Sequence, residues 1–448
     1  MGAIAVIRLS GKGSIALVDA IFHAASGKKM ETEASHTVHF GRIIDGEVLL
    51  DEVLVTLFRG SRSFTGEESV EISCHGSLYV QQRVMELLIA GGARMAEAGE
   101  FTRRAFRNGR FDLSQAEAVA DLIASSSRAS HRVAMNQMRG GFARKLAALR
   151  DRLLQFASLI ELELDFSEED VEFANREQLA SLTGSIEREI SRLAGSFALG
   201  NAIKSGIPVA IIGETNAGKS TLLNLLLNEE RAIVSDIHGT TRDVIEDLVN
   251  IGGITFRFID TAGIRHTTDA IEAMGIDRTY RKIEQASIVL WVIDLTTPQQ
   301  QIESLAASLI PRLTDKKVIL LFNKTDLISD SERSVALDLF PHLDAKRLLL
   351  SAKKGENTEL LQQLLVKAAA IPEIGEEDLI VTNLRHLDAL NRAHEAIIRV
   401  QEGLANGITH DFLSQDIREC MYNLGEITGQ ISNDEILGNI FSKFCIGK

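Results

Sequence analysis

The eight residues Gly213-Glu214-Thr215-Asn216-Ala217-Gly218-Lys219-Ser220 fill the spacing G-x-x-x-x-G-K-S without substitution, and no other stretch narrows the possible folds so far. Ahead of them runs Ile207-Pro208-Val209-Ala210-Ile211-Ile212, short, apolar and β-branched; behind them Thr221-Leu222-Leu223-Asn224-Leu225-Leu226 carries helix formers. Strand, loop and helix in that order form the context a phosphate loop requires, which sets the stretch apart from a chance glycine-rich turn. The glycines let successive backbone N–H groups and the helix N-terminus face one anion. Lys219 brings a positive charge near the β- and γ-phosphates, and Ser220 can ligate Mg2+. Asn216, Ala217, Gly218 and Thr221 complete the phosphate-facing set.

Three further motifs follow in order, each after an apolar strand. Phe256-Arg257-Phe258-Ile259 leads into Asp260-Thr261-Ala262-Gly263, a D-x-x-G that puts a carboxylate in the outer shell of the Mg2+ and a glycine N–H at the γ-phosphate. Val318-Ile319-Leu320-Leu321-Phe322 leads into Asn323-Lys324-Thr325-Asp326. A carboxylate at Asp326 can accept from guanine N1–H and the 2-amino group, whereas adenine offers no amine there and leaves the carboxylate unpaired. The base expected is therefore guanine. Leu348-Leu349-Leu350 leads into Ser351-Ala352-Lys353, whose backbone N–H is placed to meet guanine O6. Each motif alone is a weak signal; their order and their strands together specify a GTP site.

At 448 residues, two or three domains are expected. Hydrophobic content of 45% and charged content of 25% are those of a soluble globular protein. No charged-then-apolar leader and no apolar run of membrane-span length occurs, so a cytoplasmic protein without a membrane role is expected. Cys74, Cys420 and Cys445 form no C-x-x-C, which fits a reducing compartment. A net charge of −14 argues against a broad nucleic-acid grip, so an RNA partner would need a local patch or a second protein to hold it.

Residues 1–105 read as an α/β domain: a strand at Ala3–Ile7, a strand pair from Val48–Leu50 and Val53–Leu57, another strand at Val70–Ser73, then a helix from Leu78 to Ala90. Arg103, Arg107 and Arg110 share a helical face if the helix holds that far, either as a solvated basic face or as an anion site. Residues 106–203 read as the first part of a helical domain. Ser114-Gln115-Ala116-Glu117 is a capping-box pattern, and Leu146, Leu149, Leu153, Phe156, Ile160 and Leu164 make one apolar stripe. The acidic run Glu161–Asp170 is either a solvated helix end or a divalent-metal cluster without ordered ligand spacing. The nucleotide domain spans 204–371. Pro372 breaks the chain, and helices resume over 372–448, so the nucleotide domain reads as an insertion between two helical segments that pack into one bundle. Cys74-His75, at the end of an apolar strand, reads as a buried core pair.

The inserted phosphate loop, the run Asp165-Phe166-Ser167-Glu168-Glu169-Asp170, Gly99-Glu100-Phe101-Thr102-Arg103-Arg104-Ala105-Phe106 and the ending Phe444-Cys445-Ile446-Gly447-Lys448 together resemble the MnmE (TrmE) family of tRNA modification GTPases over nearly the whole chain. The fold class this implies is multidomain α/β plus α: an N-terminal α/β domain of tetrahydrofolate-binding type, a helical domain, and an inserted Ras-like G domain. Family members usually carry a further strand and Gly-rich turn ahead of the stretch that begins here at Gly2, so the first strand is expected to be missing or truncated. The resemblance further implies a homodimer that forms a heterotetramer with the flavoprotein MnmG, holds tRNA largely through that partner, and adds a carboxymethylaminomethyl group at C5 of the wobble uridine. It implies a 5-formyl-tetrahydrofolate site at Arg8, Glu71, Arg110 and Lys448. A carboxylate such as Glu71 suits the pterin's N–H groups, and the basic residues suit folate's carboxylates; Glu71 can equally be a paired strand carboxylate. Cys445 is either a reactive thiol or part of an ordered tail.

Ras-like switches place a glutamine directly after D-x-x-G to position water, and here that residue is Ile264, whose apolar side chain cannot do so. By resemblance the role falls to Glu272. The place of an arginine finger falls to K+, held by Asn216, Ser235, Ile237 and Thr240, within a loop (Ser235, Asp236, Ile237, His238, Gly239, Thr240, Thr241) that also lines GTP. Thr241 would complete the Mg2+ shell beside Ser220. The activity implied is GTP hydrolysis stimulated by K+ and by G-domain dimerisation. The first rival is a ribosome-assembly switch with the same nucleotide domain, which predicts a basic RNA-binding appendage after it, where acidic-to-neutral helices stand instead; the second is a folate-dependent enzyme whose GTPase only regulates it.

The base assignment makes one prediction. Asp326→Asn should weaken GTP binding and favour xanthosine triphosphate, since an amide donates to xanthine's 2-oxo group; competition between the two nucleotides measures it, and equal affinities overturn the assignment.

Overall fold

The computed structural model describes residues 2–165, 176–229, 246–259, 272–372, 375, 378–408, 410–430, 437, 440, 444 and 447. The chain forms two compact units, one from Met1–Ile123, Asn136–Ile190 and Asp388–Lys448, the other from Ala124–Met135 and Ser191–Leu387.

In the first unit, β1 (Ile4–Ser10), β2 (Phe22–Ala24), β3 (Thr37–Asp45), β4 (Val48–Phe58) and β5 (Ser69–His75) form an antiparallel sheet of order β1-β5-β4-β3-β2. Period-two alternation sends Val53, Val55 and Leu57 into the core with Val70 and Ile72, where the helices Ser14–Asp19 and Leu78–Ala90 cover them with Ile15, Val18, Val84 and Leu88. Each such side chain contributes about 1.5–3 kcal/mol on burial. The expected strand pair at 48–57 is instead a single eleven-residue strand, β4. Its partner β3 lies across a two-residue turn with Gly46 at φ 64°. Asp51 and Glu52, which look like a break in the sequence, lie on this strand: Glu52 pairs with Arg42, and Asp51 accepts from His75 N and Nδ1 at 2.9 and 2.7 Å. Cys74 is buried while the next residue on the strand, His75, is exposed, so the two are not a core pair.

The helix Glu100–Arg107 ends before Arg110. Gly109, at φ 69°, terminates it: its N–H bonds Phe106 O at 3.0 Å and the N–H of Arg110 bonds Ala105 O at 2.9 Å, the paired closure of a Schellman motif. Arg110 therefore does not share a helical face with Arg103 and Arg107. The next helix, Leu113–Ala124, is capped two residues earlier than the Ser114–Glu117 pattern suggests. Asp112 Oδ1 accepts from Gln115 N and Gln115 Oε1 accepts from Asp112 N, both at 3.0 Å. On the helix Gly141–Asp165, Leu146, Leu149, Leu153, Phe156 and Ile160 are all buried, and the helix packs along His410–Thr428. Arg399 bridges the helix Leu384–Asn406 to Asp416 and Glu419, and His394 reaches Glu187 at 3.0 Å. The side chains of the acidic run lie outside the described residues, as does the side chain of Leu164.

In the second unit, β6 (Ile207–Ile212), β7 (Asp247–Ile251), β8 (Ile254–Phe258), β9 (Ile288–Asp294), β10 (Lys317–Asn323) and β11 (Ala345–Leu349) form a sheet of order β11-β10-β9-β6-β8-β7. Its pairs are parallel except β7 with β8. All seven residues of β9 are buried, as expected of a parallel strand covered on both faces. One apolar cluster joins Val209, Leu290 and Leu321 to Leu222, Leu226 and Leu361; the other joins Ala210, Trp291 and Leu320 to Ile283, Ile302 and Leu309. Both faces being closed, ligands meet this sheet at the carboxyl ends of its strands. A small third cluster of Val133, Ile203 and Ile380 accompanies an upstream clamp on the β7–β8 hairpin: Asn250 Nδ2 donates to Ser126 O at 2.9 Å, and Ser126 Oγ lies 3.3 Å from Thr255 Oγ1.

Candidate functional site

The phosphate-loop motif leaves the end of β6 and enters the helix Lys219–Glu229. Gly213, at φ 141°, would put a Cβ 2.2 Å from Val292 O, and Gly218, at φ 100°, would put one 2.2 Å from Asn323 Nδ2, so both positions exclude any side chain. Asn216 is exposed and left-handed at φ 64°. Lys219 Nζ donates to Gly213 O and Glu214 O at 2.8 and 2.5 Å. Burial, then the nearby charge of Lys282, lowers its pKa to about 8, with Glu214 opposing. A polyphosphate would give this ammonium the countercharge that carbonyl dipoles supply only in part. Ser220 stands in the first turn of the helix, where a hydroxyl beside bound phosphates can ligate Mg2+; Thr221 is exposed.

The motifs assigned to the base converge on one side chain. Asn323, 3% exposed, donates from Nδ2 to Ala217 O at 2.7 Å and accepts at Oδ1 from Ala352 N at 3.0 Å. It thereby joins the phosphate loop, its own loop and Ser351-Ala352-Lys353. Asp326 Oδ1 accepts from Ser351 Oγ at 2.8 Å, and that bond, outweighing burial and helped by Lys354 and Lys353, holds the carboxyl below its ordinary range. Arg333 fixes the loop from behind through Thr325 O. Sequence reading missed Asp294, which receives Lys324 Nζ at 2.5 Å. The one available signal was an acid ending a fully apolar strand, Trp291-Val292-Ile293-Asp294.

Asp260, Thr261, Ala262 and Gly263, and Ser235 through Thr241, lie outside the described residues. Glu272 opens the helix Glu272–Gln285, and its side chain lies outside the described set.

In the first unit, Arg8 and Glu71 face one another across β1 and β5, and Arg8 Nε and Nη2 donate to Glu71 Oε1 at 2.8 and 2.6 Å. The Arg8 guanidinium lies 5.1 Å from the Phe64 ring centre and 5.6 Å from that of Phe101. It lines a cavity of about 550 Å³ together with Ser10, Lys12, Arg94, Arg104 and Gly447. Glu100 is 3% exposed in that wall. Its pKa falls to about 2, chiefly through Arg94, with burial opposing and Glu97 N–H and Arg104 assisting. Glu71 and Arg110 are not in the wall, and the Arg110 stem packs by Gly66. Lys448 and Cys445 lie outside the described residues. The cavity's size and basic side chains suit a small ligand bearing carboxylates.

Residues 1–110 match the family model described as GTP-binding protein TrmE N-terminus, and residues 113–445 match the MnmE helical domain. The chain is 58% identical over 451 residues to the tRNA modification GTPase MnmE of Bacteroides thetaiotaomicron, covering 100% of this chain and 97% of that one. To the protein of the same name in Flavobacterium johnsoniae it is 52% identical over 450 residues, with the same coverage. Among solved structures, Aquifex aeolicus Era bound to GDP·AlF4− is 27% identical over 42% of this chain and 66% of its own, at a TM-score of 0.28, too loose a superposition to bear on function.

Asn323→Ala strands a buried acceptor on the phosphate loop and a buried donor at Ala352. We expect a stability loss of about 2–3 kcal/mol in denaturant titration and GTP affinity reduced by at least about tenfold in calorimetry.

Proposed function

Since the chain belongs to the MnmE (TrmE) family of tRNA modification GTPases, we propose that it couples GTP hydrolysis to modification of the tRNA wobble uridine. In this reading it works as a cytoplasmic homodimer with the flavoprotein MnmG, in a heterotetramer that adds a carboxymethylaminomethyl group at C5. The observation that carries the nucleotide half is the convergence on Asn323 of loops separated widely in sequence. Identity across the full chain supports the tRNA half.

The chain's own groups divide the work. Backbone N–H groups around Gly218 and the Lys219 ammonium hold the phosphates, Asp326 and the Ala352 loop read the base, and Asp260 with Gly263 would report the γ-phosphate. With Ile264 in the usual glutamine's place, Glu272 orients the attacking water. Ser220 and Thr241 would hold Mg2+, and Asn216, Ser235, Ile237 and Thr240 would hold K+; bound there, the two ions would neutralise charge on the phosphate oxygens. Exposed Asn216, already turned into the left-handed region, suits an amide ligand at that place. Arg8 and the basic cavity wall would hold the folate, with Glu71, Arg110 and Lys448 assigned by resemblance.

Turnover in matched KCl and NaCl tests the hydrolytic assignment. The rate should rise in KCl for the wild type, lose its K+ dependence in Asn216→Ala, and fall by roughly a hundredfold or more in Glu272→Ala with GTP binding kept. Equal wild-type rates in the two salts overturn it.

Folate is tested separately. Arg8→Ala should weaken 5-formyl-tetrahydrofolate binding by about tenfold in calorimetry, the scale of one charged hydrogen bond, while GTP affinity stays put; unchanged folate affinity removes Arg8 from the site.

A further inference from the structure

Lys324 is held at both ends. Its backbone stands in the left-handed region, φ 64° and ψ 34°, which costs a residue with a side chain about 1 kcal/mol or more. Its ammonium donates to Asp294 Oδ2 at 2.5 Å. Asp294 ends β9 directly beside Asn323 in the parallel register of β9 and β10, and is 9% exposed. Its other oxygen accepts from Thr296 N and Oγ1 at 2.9 and 2.7 Å, so the turn orients the carboxylate independently of the lysine. Burial alone would raise the carboxyl's pKa, yet the bonds from Lys324 and Thr296 outweigh it and hold the acid ionised below its ordinary range.

The lysine stem thus runs from the end of β10 toward the end of β9, and β9 lies between β10 and β6, the strand that feeds the phosphate loop. A nucleotide with its phosphates over the β6 loop and its base at Asp326 must cross that same line. We propose that Asp294 is a positioning residue of the nucleotide site, tethering Lys324 so that its methylene stem forms a fixed apolar rail under the plane of the purine. The proposal rests on the base site assigned above to Asp326. An untethered lysine has to be immobilised when the base arrives, at up to about 2 kcal/mol of rotamer entropy; a tethered one has lost that freedom already. The rail touches a ring face, which all purines share, whereas Asp326 reads an edge. Asp294 therefore contributes affinity without discrimination.

Asp294→Asn keeps an oxygen for Thr296 and removes the charge that holds Lys324, and Lys324→Met keeps the stem without the ammonium. In calorimetry with GDP, Asp294→Asn should bind about tenfold more weakly, the scale of one charged hydrogen bond, with the preference for GDP over xanthosine diphosphate unchanged. In the Lys324→Met background the same substitution should have less than about a twofold effect, since the cycle removes what acts through the lysine. Wild-type affinity in Asp294→Asn overturns the proposal, as do an equal loss in both backgrounds and an altered preference. Thermal melting of the ligand-free variants checks that each is folded. A wild type that binds GDP and ADP alike instead overturns the base site itself, and the rail with it.

Discussion

The proposed nucleotide site depends on one buried amide. Asn323 spends its donor on Ala217 O and its acceptor on Ala352 N, and 106 residues separate it from the first of these partners. The first bond leaves no room for a side chain at position 218, because a Cβ on Gly218 would collide with the same Nδ2. The bare glycine of one motif and the amide of another are thus a single steric and polar requirement divided between distant parts of the chain. Hydrogen bonds of this kind are modest when made and expensive when one partner is removed. The arrangement consequently behaves as a unit: the loop assigned to the phosphates and the loops assigned to the base share a strut.

What the sequence made legible was chemistry tied to fixed spacing. Gly213 through Ser220, Asn323 through Asp326 and Ser351 through Lys353 stand at strand ends as their flanking apolar runs require, since a strand buried on both faces has no polar position to hide. Where polarity and geometry part company, the sequence misleads. Asp51 and Glu52 look like the end of a strand and instead satisfy partners on its neighbours. Ser114 and Glu117 look like a cap, but Asp112 and Gln115 reach the free N–H groups first. Arg110 carries the right spacing for a helical face that Gly109 ends too soon. Asp294 was illegible for a different reason: its importance arises from the register of two parallel strands, which no local pattern encodes.

The first unit shows how an acidic chain arranges basic groups. Arg8 is matched by Glu71, and Arg104 by Glu67 and Glu100, while Arg94 closes on Glu100 from outside. The arginines that line the cavity are therefore each already held in an ion pair. An anion entering the cavity competes with carboxylates already in place, and its affinity is the difference between two sets of charge-assisted bonds. Glu100 sets the depth of that competition, because a nearly buried carboxylate with three donors is the member least able to let go.

The clamp on the β7–β8 hairpin has a consequence for the order in which the second unit assembles. Its contacts span 124 and 129 residues of chain, more than any strand pairing of the sheet, of which the longest, Val209 of β6 with Ile288 of β9, spans 79. Non-local contacts come late in folding, since the loop must close before they return anything. With few hydrogen bonds and a small apolar cluster behind them, they also belong to the least protected end of native-state opening. The clamp is then a latch expected to close after the strand pairs of the sheet and to open before them. Segments 230–245 and 260–271 adjoin the two ends of that hairpin in sequence. The latch, on the paired residues Asn250 and Thr255 beside the turn, therefore holds the end of the hairpin remote from both segments.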